Sequence, residues 1–284
     1  MINKLPLTRI KMFIAHILYK TVAPFLSNTL MIKKRNGISY ELDLREGLDL
    51  SMFLFGKFQA HTIHSKYLNL ANDTIVVDVG GNFGYMALQY AQKFQAGSVI
   101  SFEPTHYACL RFERNLALNP HLAKRISLIK RFVSDEVSKN AKIKAFSSWR
   151  VDTITNKHSA RHDVHLGIEK STDGVSSITL DYFFEKNSIN KVNLIKIDTD
   201  GHEFKVLKGA RKTISKYRPL VLFEIGKYVM SDEGISFSFY IEYFKKINYK
   251  LFDSKSGKRL DEKNWNSLIP DLGTIDAIAI PDHT

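Results

Sequence analysis

The stretch that decides the fold is TIVVDVGGNFGYMALQYAQKFQAGSVISFEP, residues 74–104. A β-branched apolar run leads into Gly80, Gly81 and Gly84, a helical pattern follows, and a second apolar run ends at Glu103. Glycines at the tip of the first strand let the backbone pass close to a ligand, and an acid at the tip of the second can accept two ribose hydroxyls. The stretch therefore predicts a βαβ unit that binds a nucleoside.

The order of acid and glycines favours a methyl donor over a dinucleotide. Dinucleotide sites use G-x-G-x-x-G with the pyrophosphate on a helix N-terminus, whereas here Asp78, Gly80 and Gly84 form D-x-G-x-x-x-G. A carboxylate at the strand tip repels a pyrophosphate but suits the ammonium and sulfonium charges of S-adenosylmethionine. We therefore predict that cofactor, with Asp78, Gly80, Asn82, Gly84 and Glu103 as cofactor-binding residues. Asp78 can also act as a helix N-cap or turn former.

Length and composition point to one main domain. The 284 residues, 44% of them hydrophobic, suffice for a large α/β domain with a modest extension. We predict a basic N-terminal extension and hairpin over residues 1–60 and an S-adenosylmethionine-binding domain over residues 61–284. The single cysteine, Cys109, excludes an internal disulfide and a cysteine-built metal site. Because no secretory signal pattern is evident, we expect a cytoplasmic protein.

Positive charge is concentrated near the N-terminus. Of the formal net charge of +12, residues 1–40 contribute seven basic side chains and no acid precedes Glu41. Aromatic and aliphatic residues separate them, but His16, Lys20 and Pro24 interrupt the apolar run and argue against a membrane span. The segment is interpreted either as a basic amphipathic surface for an anionic membrane or as a helix packed on the catalytic domain. Nucleic acid binding lacks support, since no aromatic-basic repeat or zinc spacing occurs.

Strand and helix patterns alternate along most of the chain. Residues 31–44 predict a hairpin around Asn36-Gly37, and the apolar stretch 48–70 predicts a helix near its end. The alternation predicts an α/β fold with a doubly wound, mostly parallel, Rossmann-like sheet. The predicted strands span residues 74–79, 98–103, 126–133, 192–197, 220–225, 249–252 and 274–280, and the predicted helices span residues 84–93, 107–118, 203–216 and 235–246.

A polar insertion, residues 135–177, interrupts this alternation after the third strand of the predicted sheet. Only residues 142–146 within it resemble a strand. A polar segment of this length is typical of extra strands or a cover folded over a site. The alternative is a surface insertion without a role.

The second informative stretch is NLIKIDTDGHEFKVLKGA, residues 193–210. Asp198, Asp200 and His202 follow a buried strand. In a parallel sheet, ligands gather beyond the carboxyl ends of the strands, so these side chains are expected near Asp78, Glu103 and Glu224. Glu203 has a structural interpretation, because a negative charge is favourable in a first helical turn. Ionisable groups crowded at a strand end are typical of an active site.

These stretches resemble the FkbM-type S-adenosylmethionine-dependent methyltransferases over roughly residues 38–280. The resemblance implies a class I methyltransferase fold and methylation of a hydroxyl on a glycan, glycolipid or secondary metabolite. The alternatives are a nitrogen- or nucleic-acid-directed methyltransferase and a non-catalytic binding module. The matching segments are YELDLREGLDLSMFLFGKFQ (40–59), VVDVGGNFGYMAL (76–88), ISFEP (100–104), SSITLDYFFEK (176–186), IKIDTDGHEFKVLKGARK (195–212) and PLVLFEI (219–225).

The catalytic hypothesis concerns the turn at residues 198–202. A hydroxyl nucleophile needs a base, and histidine, which titrates near pH 6.5, makes His202 the first candidate. Asp200 or Asp198 are alternatives, and Asp198 is also predicted to bind the cofactor. Asp198, Asp200 and Glu224 offer oxygen ligands that suit magnesium, but spacing does not show that they converge, so no metal is predicted.

Overall fold

A computed structural model describes residues 15–21, 24, 28–56, 59–141, 145–146, 169–170, 172 and 174–282. Its strands are β1 (Leu30–Arg35), β2 (Ile38–Asp43), β3 (Ile75–Val79), β4 (Ser98–Phe102), β5 (Ile126–Ile129), β6 (Phe132–Val133), β7 (Ala145–Phe146), β8 (Glu169–Lys170), β9 (Ser177–Ile178), β10 (Leu194–Ile197), β11 (Leu220–Gly226), β12 (Tyr249–Asp253), β13 (Arg259–Leu260) and β14 (Thr274–Pro281). Its helices are α1 (Gly47–Phe55), α2 (Ala60–Ile63), α3 (Tyr85–Lys93), α4 (His106–Ala117), α5 (Pro120–Ala123), α6 (Leu180–Lys186), α7 (Glu203–Gly209), α8 (Arg211–Tyr217), α9 (Lys227–Asp232), α10 (Phe237–Lys245) and α11 (Trp265–Leu268).

The central sheet has eight strands in the order β13-β12-β14-β11-β10-β3-β4-β5. Strands β11, β10, β3, β4 and β5 run parallel, while β14, β12 and β13 pair antiparallel at one side. The predicted α/β fold with a mostly parallel, Rossmann-like sheet is confirmed.

Both faces of the sheet are buried, as a doubly wound fold requires. On one face Val77 and Ile195 join a buried cluster to which α6, α7, α8 and α10 contribute. On the other face Val76 and Leu194 join a second buried cluster that includes residues of β2, α1, α3 and α4. Alternate side chains of one strand therefore serve two separate cores.

The N-terminal hairpin forms as predicted and packs on the second core. Asn36 and Gly37 have φ of 50° and 86°, the left-handed pair that a type I′ turn requires. Tyr40 of β2 is fully buried there. Residues 15–21 are helical, and Ala15 and Tyr19 pack against the same cluster. None of the described helices is long and apolar enough to cross a membrane.

Several element boundaries differ from the sequence-based expectation. The predicted strand 126–133 divides into β5 and β6, because exposed Lys130 and Arg131 intervene and β6 pairs with β9 instead. The predicted helix 203–216 divides at Ala210, since the preceding Gly209 packs so tightly on the Ser134 backbone that a Cβ would lie 2.0 Å from its oxygen. The stretch 48–70 begins with α1, and only the short helix α2 and a 3₁₀ turn at Lys66–Leu68 occur near its end. The helices α5, α6, α9 and α11 were not predicted.

The insertion after the third sheet strand contains additional strands. β7 and β8 pair antiparallel, and Ser138 bridges Ser177. The expected fold-over of the rest of this segment lies outside the described residues.

Candidate functional site

Strand register places three acidic side chains next to one another at the carboxyl edge of the sheet. β10 and β11 run in register, with Lys196 opposite Leu222. Two residues further along, where side chains return to the same face, lie Asp198 and Glu224, and Glu224 pairs with Asp276 of β14. Because neighbouring strands are about 4.8 Å apart, Asp198, Glu224 and Asp276 form a row, here named the acid row.

A buried lysine lies directly behind the acid row. The Nζ of Lys196 is 3.2 Å from Asp198 Oδ2 and 3.5 Å from Asp78 Oδ1, and the residue is only 4% exposed. Burial opposes its charge, but the carboxylates of Asp198 and Asp78 outweigh burial and raise the pKa of Lys196. Sequence reasoning missed this residue, because it occupies an interior position of an apolar strand.

Asp78 lies inside the protein rather than on the surface of the cleft. It is fully buried and accepts a hydrogen bond of 2.9 Å from Ser101 Oγ. Burial raises the pKa of Asp78, while Lys196 and Ser101 act in the opposite direction. Asp78 falls within β3 rather than beyond its end, and its side chain joins β3 to β4 and β10. Its role in cofactor binding stays a prediction.

The glycines are required by contacts within the protein itself. A Cβ on Gly80 would lie 1.8 Å from the carbonyl oxygen of Asp198, and one on Gly84 would lie 2.3 Å from the Phe112 ring. Both glycines have a left-handed φ, of 85° and 88°. Residues 80–84, here named the glycine loop, thus press against the end of β10 and against α4. Because Gly80 has no side chain, the glycine loop can contact the backbone of Asp198 in the acid row.

Glu103 fixes the tip of the glycine loop. Its Oε2 accepts from the Asn82 backbone N–H at 2.9 Å, and its Oε1 accepts from the N–H and Oγ1 of Thr105 at 2.9 and 2.6 Å. Burial raises the pKa of Glu103, and these hydrogen bonds oppose the shift. A carboxylate offers about four lone-pair sites, so the side chain keeps capacity for a ligand hydroxyl.

The turn after β10 is held by Glu203. Its Oε1 accepts from the Thr199 N–H at 2.8 Å, from Thr199 Oγ1 at 3.0 Å and from the Gly201 N–H at 3.3 Å. Asp200 and Gly201 have φ of 52° and 122°, a bend that the glycine permits. The structural interpretation of Glu203 is confirmed. His202 precedes α7 and is half-buried, and its carbonyl accepts from the Val206 N–H at 3.1 Å.

Asp200 occupies the open side of this turn. Crowding by surrounding protein, followed by the carboxylates of Asp198 and Glu203, raises the pKa of Asp200. Asp200 is an exposed residue, so hydration moderates this shift in pKa. Asp198, Asp200 and His202 thus share one turn beside Gly80, as predicted.

Two further residues complete the far end of the acid row. Glu224 accepts from Thr274 Oγ1 at 2.6 Å, and burial together with Asp198 raises its pKa. His61 Nε2 lies 2.5 Å from Asp276 Oδ2. His61 and Asp276 were not identified from the sequence. The only sequence signal for Asp276 is that it is an acid within an otherwise apolar strand. Within the part of the chain that the structure describes, no group of three or more His, Cys, Asp or Glu side chains is arranged to hold a metal.

Comparison with known proteins identifies relatives of the chain. A model of the methyltransferase FkbM domain matches residues 78–251. Methyltransferase 1 of Beauveria bassiana (strain ARSEF 2860) is 23% identical over 154 residues, which cover 49% of this chain and 59% of that protein. Methyltransferase sdnD of Sordaria araneosa is 21% identical over 194 residues, which cover 59% of this chain and 75% of that protein.

The comparison with solved structures also finds a methyltransferase of this name. The crystal structure of the methyltransferase FkbM from Methylobacillus flagellatus KT has a TM-score of 0.47 and 17% sequence identity, covering 78% of this chain and 48% of that one. The chain spans less than two thirds of the length of that structure and of the Beauveria protein. Because the family model covers more than half of the chain, the protein belongs to the FkbM methyltransferase family.

Proposed function

We propose that the protein is an S-adenosylmethionine-dependent O-methyltransferase that acts on a hydroxyl of a glycan, glycolipid or secondary metabolite. The observation that carries the acceptor class is the acid row, which lies beside the glycine loop at the carboxyl edge. Carboxylates accept hydrogen bonds from hydroxyls, and they repel phosphates. The nucleic-acid alternative is therefore weaker, although the whole chain has a net charge of +12.

The residues present suit the cofactor. Glu103 retains about one lone-pair site for a ribose hydroxyl, and Asp198, 25% exposed in its side chain, offers a negative charge to the ammonium and sulfonium groups. Gly80, Asn82 and Gly84 supply the backbone against which the nucleoside would lie. When bound, S-adenosylmethionine supplies an electrophilic methyl group. Asp78 supports these residues from behind through Lys196.

The chain's own contribution to the reaction is positioning and proton removal. Holding the two reactants in attack geometry is a large effect in itself, and the turn at residues 198–202 is shaped for it, because Glu203 fixes its backbone. A base adds roughly 10²–10⁴-fold. The sequence-based candidates for that base are His202, Asp200 and Asp198, which remain proposals.

The function is tested by binding and by methyl transfer. Calorimetry with S-adenosylmethionine, its demethylated product and NAD should give the tightest binding for the first two, and tighter NAD binding would contradict the cofactor. Labelled methyl transfer is then measured to methyl glycosides, simple alcohols, phenols, RNA and peptide. We expect product on hydroxyl oxygen with little salt dependence. Transfer to RNA that weakens steeply with salt would establish the alternative instead.

We also propose that the N-terminal hairpin docks on an anionic membrane. Leu30, Ile32 and Lys34 alternate outward along β1, and Leu30 and Ile32 are 39% and 60% exposed. An apolar and basic stripe of this kind suits an anionic lipid surface. Ala15 and Tyr19, by contrast, pack on the core, as the competing interpretation of the N-terminal segment expects.

Vesicle sedimentation tests this docking. The full chain should pellet with phosphatidylserine-containing vesicles and be released by high salt. Ile32→Ser with Lys34→Glu should abolish pelleting, whereas Phe55→Ser, a control at another exposed apolar residue, should not. Pelleting that is absent in the full chain, or equal in all three proteins, would contradict docking through β1.

A further inference from the structure

We infer that His61 and Asp276 form the proton-accepting pair of the acceptor site. This inference rests on the proposed O-methyltransferase function and assigns its base to a residue outside the turn at 198–202. The Nε2 of His61 lies 2.5 Å from Asp276 Oδ2. The His61 side chain is 35% exposed and that of Asp276 is 16% exposed, so the carboxylate is sheltered while an acceptor can reach the ring.

The pair lies at the end of the acid row. Asp276 is the cross-strand partner of Glu224, which places it about two strand spacings of 4.8 Å each from Asp198. His61 belongs to α2, and α2 packs on α3 through Thr62 Oγ1 and Met86 Sδ, 3.9 Å apart. Since α3 follows the glycine loop directly, His61 stands at the same edge of the sheet as the loop and the acid row.

The hydrogen bond orients the imidazole for proton uptake. Asp276 accepts the Nε2 proton, so the lone pair of the neutral ring lies on Nδ1. A histidine fixed by a carboxylate in this way is the arrangement of a general base. The hydroxyl proton passes to Nδ1 while its oxygen bonds to the methyl carbon and the carbon–sulfur electron pair stays with sulfur. Asp276 compensates the charge that the ring acquires.

The other acids of the row are already engaged. Asp198 pairs with Lys196, and Glu224 accepts from Thr274. Among the described residues, Glu224, Lys196 and Tyr90 of α3 lie within electrostatic range of Asp276, and Asp198 lies one strand beyond Glu224.

The kinetic test compares His61→Gln and Asp276→Asn with His64→Gln, an exposed histidine three residues away, and with His202→Asn. The probe is the glycoside, alcohol or phenol that the wild-type protein methylates best. His61→Gln should lower kcat at least 10²-fold, leave KM and donor affinity within twofold, and remove the acidic limb of the pH–rate profile. A kcat near wild type in His61→Gln would overturn the assignment, and a large loss confined to His202→Asn would return the role to His202.

A spectroscopic readout separates this inference from the proposed function. With ¹⁵N-labelled histidine and the demethylated donor bound, the His61 ring should be protonated on Nε2 at a pH where it is neutral. Asp276→Asn should reduce that tautomer preference. If the wild-type protein methylates no hydroxyl probe, the acceptor proposal fails and this measurement alone decides the pair. A His61 ring protonated on Nδ1, or one insensitive to Asp276→Asn, would overturn the inference.

Discussion

The carboxyl edge of the sheet has two halves that differ in how their polar groups are satisfied: the glycine loop with Glu103, and the acid row. In the glycine loop and Glu103, polar groups bond to nearby backbone, and the close approach of Gly80 to Asp198 leaves no room for a side chain. In the acid row, carboxylates face one another, and burial with mutual repulsion raises the pKa of Glu224. The first half is a backbone surface fixed by hydrogen bonds and close packing. In the second half, burial and repulsion between carboxylates disfavour negative charge, and a bound hydrogen-bond donor or cation would stabilise that charge. Such charge is a mark of function more than of folding.

Lys196, where the halves meet, is expected to show the largest effect. Lys196→Met leaves Asp78 buried without its cation, which costs about 3–5 kcal/mol of unfolding free energy. Burial raises the pKa of Asp78, so the folded state holds a proton to higher pH than the unfolded state and stability falls as pH rises above about 4. Urea unfolding at pH 5 and pH 8 should therefore show the larger loss at pH 8.

Two control variants show whether the effect of Lys196→Met comes from the buried ion pair. Lys191→Met breaks the half-exposed pair with Asp73 and should leave stability unchanged within error, since such pairs contribute little. Adding Asp78→Asn to Lys196→Met should recover part of the loss. Equal unfolding curves for the Lys196 and Lys191 variants would show that the buried ion pair between Lys196 and Asp78 does not stabilise the contact between the two halves.

The glycine loop comes next. Gly80→Ala adds a methyl group 1.8 Å from the Asp198 carbonyl oxygen, at a φ of 85°. Left-handed strain of about 1–2 kcal/mol and overpacking of about 1–3 kcal/mol together predict a loss of about 2–5 kcal/mol. Gly234→Ala is the control, because its φ of 64° is also left-handed but no atom lies within 4 Å. If the two variants lose the same unfolding free energy in urea, backbone strain alone explains the effect of Gly80→Ala, and overpacking against Asp198 contributes nothing.

How much the sequence predicts also differs between the halves. The glycine loop and Glu103 lie within one continuous stretch that folds as a single βαβ unit, so the sequence pattern of that unit predicts that they meet. His61 and Asp276 are 215 positions apart, and only the tertiary fold brings them together. Lys196 could not be predicted for another reason. Hydrophobic periodicity marks a strand as buried, but it does not show that a buried lysine has one acid partner on the neighbouring strand β3 and another two residues further along its own chain.

Glu103 should govern cofactor affinity. In Glu103→Gln the amide nitrogen would face the N–H group of Asn82 or Thr105, both of which now donate to the carboxylate. The negative charge that is proposed to accept a hydrogen bond from the ribose is also lost. We expect S-adenosylmethionine to bind about 1.5–3 kcal/mol more weakly, roughly 10- to 150-fold in Kd. Calorimetry with the exposed Glu185→Gln as control measures this. Unchanged affinity in Glu103→Gln would remove Glu103 from the cofactor site.

The smallest effect, and the sharpest comparison, comes from two threonines that each donate to an acid at 2.6 Å: Thr105 to Glu103 and Thr274 to Glu224. Thr274→Val should cost about 0.5–1.5 kcal/mol and leave donor affinity unchanged. Since the lost hydrogen bond lowers the pKa of Glu224, its removal raises that pKa further. The folded state then retains its proton to higher pH, and the cost in unfolding free energy should grow as pH rises.

Thr105→Val removes the same kind of bond from the glycine-loop half, but Thr105 also caps α4 through the Ala108 N–H. Its cost should therefore include the cap, about 0.5–2 kcal/mol, and it should weaken S-adenosylmethionine binding because Glu103 loses a fixed position. Urea unfolding and calorimetry on both variants decide the matter. If Thr274→Val weakened donor binding as much as Thr105→Val, Glu224 would belong to the cofactor site together with Asp198, and the division of the edge into two halves would be wrong.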